Sequence, residues 1–294
     1  MLDRDNVAPA PEPEFTAGGI PPLVARLEAA SQRAEMPCGE GRLVWHLWGE
    51  GPPLVLLHGG AGSWRHWARN IDALARNRRV LAPDLPGLGE SDMPPRPPTP
   101  QGVTAILSAG VEALLGRGRR FDLMGFSFGA VLSGGLAALH DRDLRSLTLV
   151  GAGGLGLPRP PVMLEKIRDK QGTERLAAHR TNLERLMFAD PARIDATALA
   201  IQGWNSDRAR LHSRSFMPAT WLRDALPRVT APLNVIYGER DAIAWPDLQA
   251  RFDLIHSIRP DAQCRAIPGA GHWVAYEAAE AFNQAAAAML PAGD

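Results

Sequence analysis

The 294-residue sequence carries 32 basic and 32 acidic side chains, so its formal net charge is zero, and 45% of its residues are hydrophobic. A chain without a basic field is not expected to bind nucleic acid or a membrane surface, and two cysteines support neither a disulfide framework nor a zinc site. No secretory leader and no apolar run of membrane-spanning length is recognisable, which predicts a cytoplasmic protein with a sizeable core.

The first 22 residues are rich in Pro, Glu and Gly. Such a composition buries too little apolar surface to offset the entropy of ordering. A short helix is expected from Leu23 to Arg33. Residues 1–30 are therefore predicted to form a loose N-terminal arm that carries this helix.

From about residue 31 onwards, short apolar segments bounded by Gly or Pro alternate with segments of helical character. This alternation is typical of an α/β protein with a mostly parallel sheet covered by helices on both faces. The strands are expected at Arg42–Trp48, Leu54–Leu57, Val80–Ala82, Phe121–Met124, Leu147–Val150, Leu233–Tyr237 and Gln263–Ile267.

The second of these strands runs into a glycine-rich loop, His58-Gly59-Gly60-Ala61-Gly62. Glycines let such a loop turn a backbone amide toward a negative charge. A nucleotide phosphate is not the expected anion, because the loop has neither a Gly-Lys-Ser/Thr ending nor a G-x-G-x-x-G pattern. His58 is expected to pack beneath the loop rather than to act as a base.

The pentapeptide Gly125-Phe126-Ser127-Phe128-Gly129 follows a predicted strand and precedes a predicted helix, Ala130–His140. A nucleophilic serine on a strained strand-to-helix turn needs small flanking residues, and the glycines meet that need. An ordinary glycine-rich turn could share the pattern, but its place between strand and helix favours a nucleophile. The backbone amides of Gly60 and Phe128 are then expected to hold the oxyanion.

No strand is predicted between residues 158 and 226, where three helical segments are expected instead, at Val162–Lys170, Glu174–Phe188 and Ala192–Trp204. This pattern predicts a helical insertion between two strands of the sheet. Residues 31–157 and 227–294 are accordingly predicted to form the core, and residues 158–226 a separate helical unit.

Two late loops carry the groups that a nucleophilic serine needs. His272 lies in the glycine-rich loop after the last predicted strand and is the candidate base, and Asp241 follows the preceding strand and is the candidate acid that orients it. Asp247 and Glu239 are fallback acids. Taken alone, each is an ordinary surface or turn residue, but the order serine, acid, histidine favours a catalytic triad.

From about Arg42 to Leu290 these motifs, together with the stretch Pro83-Asp84-Leu85-Pro86-Gly87-Leu88-Gly89-Glu90-Ser91, resemble the α/β-hydrolase superfamily. The resemblance implies the α/β-hydrolase fold, with a central sheet of about eight strands and the triad at its C-terminal edge. It also implies that residues 158–226 are a helical cap, which would exclude water from the pocket and select the substrate.

Within the superfamily, the Gly-rich segment 151–156 and His272-Trp273 followed by Glu277 look like the hydrolases that cleave carbon-carbon bonds in meta-ring-fission products. Two positions depart from that group. Phe126 precedes the nucleophile where asparagine is often found, and Gln202 stands where the cap arginine that binds the dienoate carboxylate is expected, with Arg208 or Arg210 as substitutes. The aspartate nucleophile of haloalkane dehalogenases and epoxide hydrolases is replaced here by serine.

The predicted activity is therefore hydrolysis of a small, largely apolar carboxylic ester through an acyl-enzyme on Ser127. The first alternative is a carbon-carbon hydrolase of a vinylogous diketone, and the second is a ligand receptor or non-hydrolytic lyase on the same fold. A small-molecule substrate is the expected partner, a homodimer is left open, and neither metal nor cofactor is expected. The substrate-binding wall is predicted to comprise Trp64, Phe126, Leu186, Met187, Trp204 and Trp273, with Phe128 beside them.

Overall fold

A computed structural model describes residues 19–212 and 215–292. Its centre is an eight-stranded sheet. The strands are β1 Gln32–Cys38, β2 Gly41–Trp48, β3 Pro53–Leu57, β4 Arg79–Pro83, β5 Phe121–Phe126, β6 Leu144–Val150, β7 Leu233–Gly238 and β8 Gln263–Ile267. All seven predicted strands are present, and several extend one to three residues beyond the predicted ends.

The strand order is β1-β2-β4-β3-β5-β6-β7-β8. β1 pairs antiparallel with β2, and β2 pairs antiparallel with β4, while β3 to β8 run parallel to one another. The carboxyl ends of β3, β5, β7 and β8 therefore lie at one edge of the sheet, where the loops that follow them can meet.

Strand β1 was not predicted from the sequence. Its residues Gln-Arg-Ala-Glu-Met-Pro-Cys are mostly exposed or half-buried, because the strand lies at the edge of the sheet and pairs on one side only. Edge strands carry charged residues and proline, so they lack the apolar run that marks a buried strand. A glycine with positive φ, Gly39, turns the chain into β2.

The helices lie on both faces of the sheet. They are α1 Pro22–Ala29, α2 Ile71–Leu74, α3 Pro100–Leu115, α4 Phe128–Leu139, α5 Gly172–Asn182, α6 Ala196–Asp207, α7 Trp221–Ala225, α8 Leu248–Ile258, α9 Val274–Glu277 and α10 Ala279–Met289. Short 3₁₀ turns occupy Trp64–Trp67, Pro191–Arg193 and Leu226–Arg228, and a π-helical turn spans Leu183–Met187. No helix among the described residues is both long and apolar enough to cross a membrane.

The N-terminal helix α1 ends four residues earlier than predicted, because the chain enters β1 at Gln32. It packs on the core: the Trp48 indole N–H donates to the Leu27 carbonyl over 2.7 Å, and Arg26 pairs with Asp72. The rest of the predicted loose arm, residues 1–18, lies outside the described residues.

The helix predicted at Val162–Lys170 is wrong, since within the described residues 158–171 the chain forms no helix. Prolines 158, 160 and 161 restrict the start of the segment. Backbone groups later in the segment bond to side chains of α5 and of the π-helical turn instead of forming helical hydrogen bonds. The Asn182 amide both accepts from the Glu165 N–H and donates to the Glu165 carbonyl, and Arg185 donates to the Met163 carbonyl.

Alternate residues of the buried strands pack into two apolar layers. In β3, Val55 and Leu57 belong to one layer, and Leu54 and Leu56 to the other. This is the period-two pattern of a strand covered on both faces. The rigid sheet holds the loops at its C-terminal edge in fixed positions.

Candidate active site

Ser127 lies on a sharp turn between β5 and α4, with a positive φ of 51° and a ψ of −109°. Glycines permit the turn. A Cβ on Gly125 would lie 2.3 Å from the Ser133 hydroxyl oxygen, and one on Gly129 would lie 2.3 Å from the Leu57 carbonyl oxygen. Backbone strain of this kind is stored at functional sites, and here it presents the serine hydroxyl at the end of the sheet.

His272 connects this serine to a buried carboxylate. Its Nε2 lies 2.9 Å from Ser127 Oγ, and its Nδ1 lies 2.8 and 2.9 Å from the two carboxylate oxygens of Asp241. Asp241 is fully buried and His272 is 3% exposed. Because Nδ1–H donates to the carboxylate, Nε2 is free to accept the serine proton. The structure thus brings together the three residues that were predicted as a triad.

The acid loop is held by its own backbone and by one arginine. The Ile243 N–H donates to Asp241 Oδ1 over 2.9 Å. The guanidinium of Arg251, which is 6% exposed, donates to the carbonyls of Ile243, Ala244 and Asp247, and also to that of Pro158. These bonds leave the carboxylate little freedom to turn away from His272.

The glycine-rich loop after β3 places Gly60 and Ala61 at the surface of the site, where both are exposed. The Gly60 N–H donates to none of the described residues. Phe128 is the first residue of α4, and amides at that position lack an acceptor within the helix. Both amides that were predicted to hold an oxyanion are thus available to a ligand, and α4 directs its positive end toward the same point.

Three aromatic residues expected in the pocket wall lie in the interior instead. Trp64 and Trp273 are fully buried, and Phe126 is 1% exposed. Phe126 packs between the His66 and His272 rings, at centroid distances of 5.5 and 5.0 Å. Side chains without exposed surface cannot contact a substrate, so all three pack in the interior behind the site.

The remaining wall candidates lie nearer the surface. Trp204 is half-buried between the guanidiniums of Arg65 and Arg208, which lie 3.6 and 4.1 Å from its ring centroid. Leu186 is half-buried and Met187 is 8% exposed, both in the π-helical turn. Phe128 packs edge-on against Phe216, with 6.4 Å between ring centroids.

A groove of about 570 Å³ lies beside the acid loop. None of the predicted wall residues borders it. Phe188, Ala242 and Trp245 contribute to its apolar surface, and Arg240 adds a charge. Among residues 19–212 and 215–292, no three His, Cys, Asp or Glu side chains lie close enough together to hold a metal ion.

Sequence reasoning missed the structural importance of Glu277, which is 4% exposed. Its carboxylate accepts the N–H groups of Gly271 at 2.6 Å, Asp190 at 2.8 Å and Ala189 at 3.0 Å. One carboxylate therefore joins the loop of His272 to the chain between the π-helical turn and α6. Glu277 follows Trp273 by four residues, and spacing alone does not reveal this role.

Comparisons with known proteins identify the family of the chain. The family model described as the Alpha/beta hydrolase family matches residues 54–285. The chain belongs to that family and is an enzyme of the hydrolase class.

The chain is 35% identical over 280 residues to the dihydrolipoyllysine-residue acetyltransferase component of an acetoin cleaving system from Pseudomonas putida, covering 89% of this chain and 69% of that protein. It is 29% identical to 2-hydroxy-6-oxo-6-phenylhexa-2,4-dienoate hydrolase from Burkholderia cepacia, covering 80% and 86% of the two chains. Its fold is similar to that of a carboxylesterase from Bacillus subtilis, with a TM-score of 0.72 at 18% identity over 91% and 94% of the two chains.

Proposed function

We propose that the protein hydrolyses a small, largely apolar carboxylic ester through an acyl-enzyme on Ser127. The observation that carries the proposal is the continuous hydrogen-bonded path from Ser127 Oγ through the His272 ring to the buried Asp241 carboxylate. This arrangement, with two amides open to a ligand beside it, is the geometry of a serine activated for attack on a carbonyl.

The proposed reaction has two halves. His272 Nε2 removes the Ser127 proton as Oγ bonds to the ester carbonyl carbon, and the Gly60 and Phe128 N–H groups stabilise the resulting oxyanion. Collapse expels the alcohol, which takes its proton from His272, and leaves the acyl group on Ser127. Water, deprotonated by His272, then attacks the acyl-enzyme, and Ser127 Oγ leaves with the proton from His272 as the carboxylic acid is released. Asp241 stabilises the imidazolium in both halves.

We also propose that residues 158–226 act as a cap that selects the substrate. Two contacts support this idea. The Trp273 backbone N–H donates to the Met187 carbonyl over 2.8 Å, and the Glu277 carboxylate accepts the N–H groups of Ala189 and Asp190. The end of the π-helical turn and the residues after it are thereby held against the histidine loop, and the apolar side chains Leu186 and Met187 of that turn favour an apolar acyl or alcohol group.

Carbon-carbon cleavage of a vinylogous diketone is the second candidate, and the relationship to the dienoate hydrolase favours it. The arginines considered as carboxylate ligands are already engaged. Arg210 donates to the Ser91 carbonyl over 2.5 Å and Arg208 stacks on Trp204. Gln202 bonds to Ser206 in its own helix. A dianionic dienoate would have to displace these contacts, so an ester without a carboxylate fits the described residues better.

The test compares wild-type protein with Ser127→Ala on p-nitrophenyl esters from acetate to octanoate and on 2-hydroxy-6-oxo-6-phenylhexa-2,4-dienoate. Ester turnover that falls by about 10³-fold or more in the variant would support the proposal. A matched control is Ser108→Ala, because Ser108 also bonds to a histidine, His140, at 2.8 Å but lies on α3. Turnover of the dienoate alone would move carbon-carbon cleavage to first place, and Ser127→Ala with wild-type rates would refute both.

A further inference from the structure

The buried imidazole of His66 lies directly beneath the glycine-rich loop. Its Nδ1 is 3.2 Å from the Gly59 amide nitrogen, which donates to it, and the residue is 1% exposed. The loop also approaches the Nδ1 and Cε1 side of the ring at Gly62. A Cβ on Gly62 would lie 2.3 Å from His66 Cε1 and 2.5 Å from Nδ1. The loop follows this path because glycine leaves room for the ring.

The bond to Gly59 fixes the protonation of His66. A nitrogen that accepts an N–H carries no proton, so the neutral ring must bear its proton on Nε2. Burial lowers the pKa of His66 well below its ordinary value, and the neighbouring His58 and His272 lower it further. The ring therefore stays a neutral acceptor at neutral pH, including when His272 takes up a proton.

His58 holds the next peptide unit. Its Nδ1–H donates to the Gly59 carbonyl over 2.8 Å, and its Nε2 accepts the Leu85 N–H over 2.8 Å. In a trans peptide the carbonyl and the following N–H point in opposite directions. The bond to the Gly59 carbonyl therefore directs the Gly60 N–H away from His58. Together, the two histidines fix the peptide units on both sides of Gly59.

Hydrogen bonds connect the turn that carries His66 to the histidine loop and to α6. The Trp273 indole N–H donates to the His66 carbonyl over 2.8 Å, and Trp273 directly follows His272. The 3₁₀ turn that carries His66 begins at Ser63, whose hydroxyl donates to the buried Asn205 of α6 over 2.6 Å. The imidazole therefore has a fixed position relative to both His272 and the loop.

We propose that His66 is a positioning residue that, by accepting the Gly59 N–H at Nδ1, directs the Gly60 amide toward the oxyanion formed at Ser127. This inference rests on the proposed function. Removing one oxyanion donor typically slows the chemical step by 10²–10³-fold. A misdirected donor should cost about 10- to 100-fold in kcat, with little effect on KM, because the oxyanion exists only after binding.

Two substitutions separate this role from packing. His66→Asn keeps an acceptor, since its Oδ1 can occupy the place of Nδ1, whereas His66→Leu fills the apolar space among Phe126 and Trp273 without one. The proposal expects kcat within about threefold of wild type for Asn and a loss of about 10- to 100-fold for Leu. A purely structural role expects the opposite order, because leucine suits a buried apolar site better than asparagine. His256→Leu, at an exposed histidine on α8, controls for the exchange itself.

A second measurement does not depend on turnover. Hydrogen exchange at the Gly59 amide should accelerate in His66→Leu but not in His66→Asn, and the wild-type ¹⁵N spectrum should show an unprotonated Nδ1 at neutral pH. If these results hold but no ester is cleaved, the positioning role stands and the ester function fails. Unchanged exchange in His66→Leu, a protonated Nδ1, or kcat values that simply follow melting temperature would overturn the role. If His66→Leu does not fold, the ¹⁵N spectrum and the His66→Asn rate decide.

Discussion

Replacing Glu277 by glutamine should weaken the protein at the point where Ala189 and Asp190 meet the histidine loop. The two carboxylate oxygens accept three backbone N–H groups at 2.6 to 3.0 Å. Glutamine has nearly the same shape but keeps only one oxygen. Whichever way its amide turns, an NH₂ group faces at least one buried N–H donor, either that of Gly271 or those of Ala189 and Asp190.

The magnitude follows from the bonds lost. A hydrogen bond to a charged group contributes about 1.5–3 kcal/mol, and an unsatisfied buried donor costs about 1–3 kcal/mol. Allowing for the oxygen that remains, Glu277→Gln should lower the free energy of unfolding by about 3 kcal/mol, which is roughly 6 °C in Tm for a chain of this size. Because Gly271 precedes His272, kcat should also fall by about tenfold.

Urea unfolding, calorimetry and ester kinetics measure these effects. Glu280→Gln is the matched control, since Glu280 is exposed in the first turn of α10 and the same chemical change should alter stability by less than about 0.5 kcal/mol. The reasoning would be refuted if Glu277→Gln matched that control in Tm, or if the variant lost stability while kcat remained that of wild type.

Two further predictions concern the same site. Gly151→Ala should reduce kcat at least tenfold with little change in KM, because its Cβ would lie 3.1 Å from the His272 ring. Gly116→Ala shares the positive φ but would meet nothing within 4 Å, so it controls for backbone strain. Burial also lowers the pKa of His58 and His66, so below about pH 6.5 the unfolded chain binds protons that the folded protein excludes. Stability is then fully present above that value and should fall as the pH is lowered, by at most about 1.4 kcal/mol per unit for each histidine. Between pH 7 and pH 5, the free energy of unfolding of His66→Asn should depend on pH less steeply than that of wild type, because the contribution of one histidine is lost. An equal pH dependence in the two proteins would contradict this explanation.

Most of the parallel strands were predictable because they are apolar runs such as Leu54–Leu57 between turn-forming residues, and burial on both faces requires that composition. The meeting of Ser127, Asp241 and His272 follows from the same property, since each comes after a parallel strand. In contrast, β1 is polar because it forms an edge. The segment Val162–Lys170 has helical composition, but its backbone bonds to Asn182 and Arg185 from distant positions.

The supporting residues of the site were harder to predict for a related reason. Aromatic residues beside the motifs, such as Phe126 and Trp273, suggested a pocket wall, but the sequence does not say which side of a loop faces the interior. His66 and Glu277 accept hydrogen bonds from backbone N–H groups, which nearly every residue type provides. The Gly59 nitrogen lies 3.2 Å from His66 Nδ1, and the Gly271 nitrogen lies 2.6 Å from Glu277 Oε2. A contact between a side chain and a generic peptide group leaves no paired pattern in a single sequence.

The long connection between β6 and β7 joins two strands that are neighbours in the sheet, with Val150 paired to Ile236. The cost of closing such a loop rises only slowly with its length. Insertions, deletions and exchanges in that connection are therefore expected to leave the nucleophile in place where they spare the residues that bind the rest of the fold, such as residues 187–190, Asn205 and Arg210. If this connection is the proposed cap, directed evolution for a new substrate should begin within it, at positions other than those.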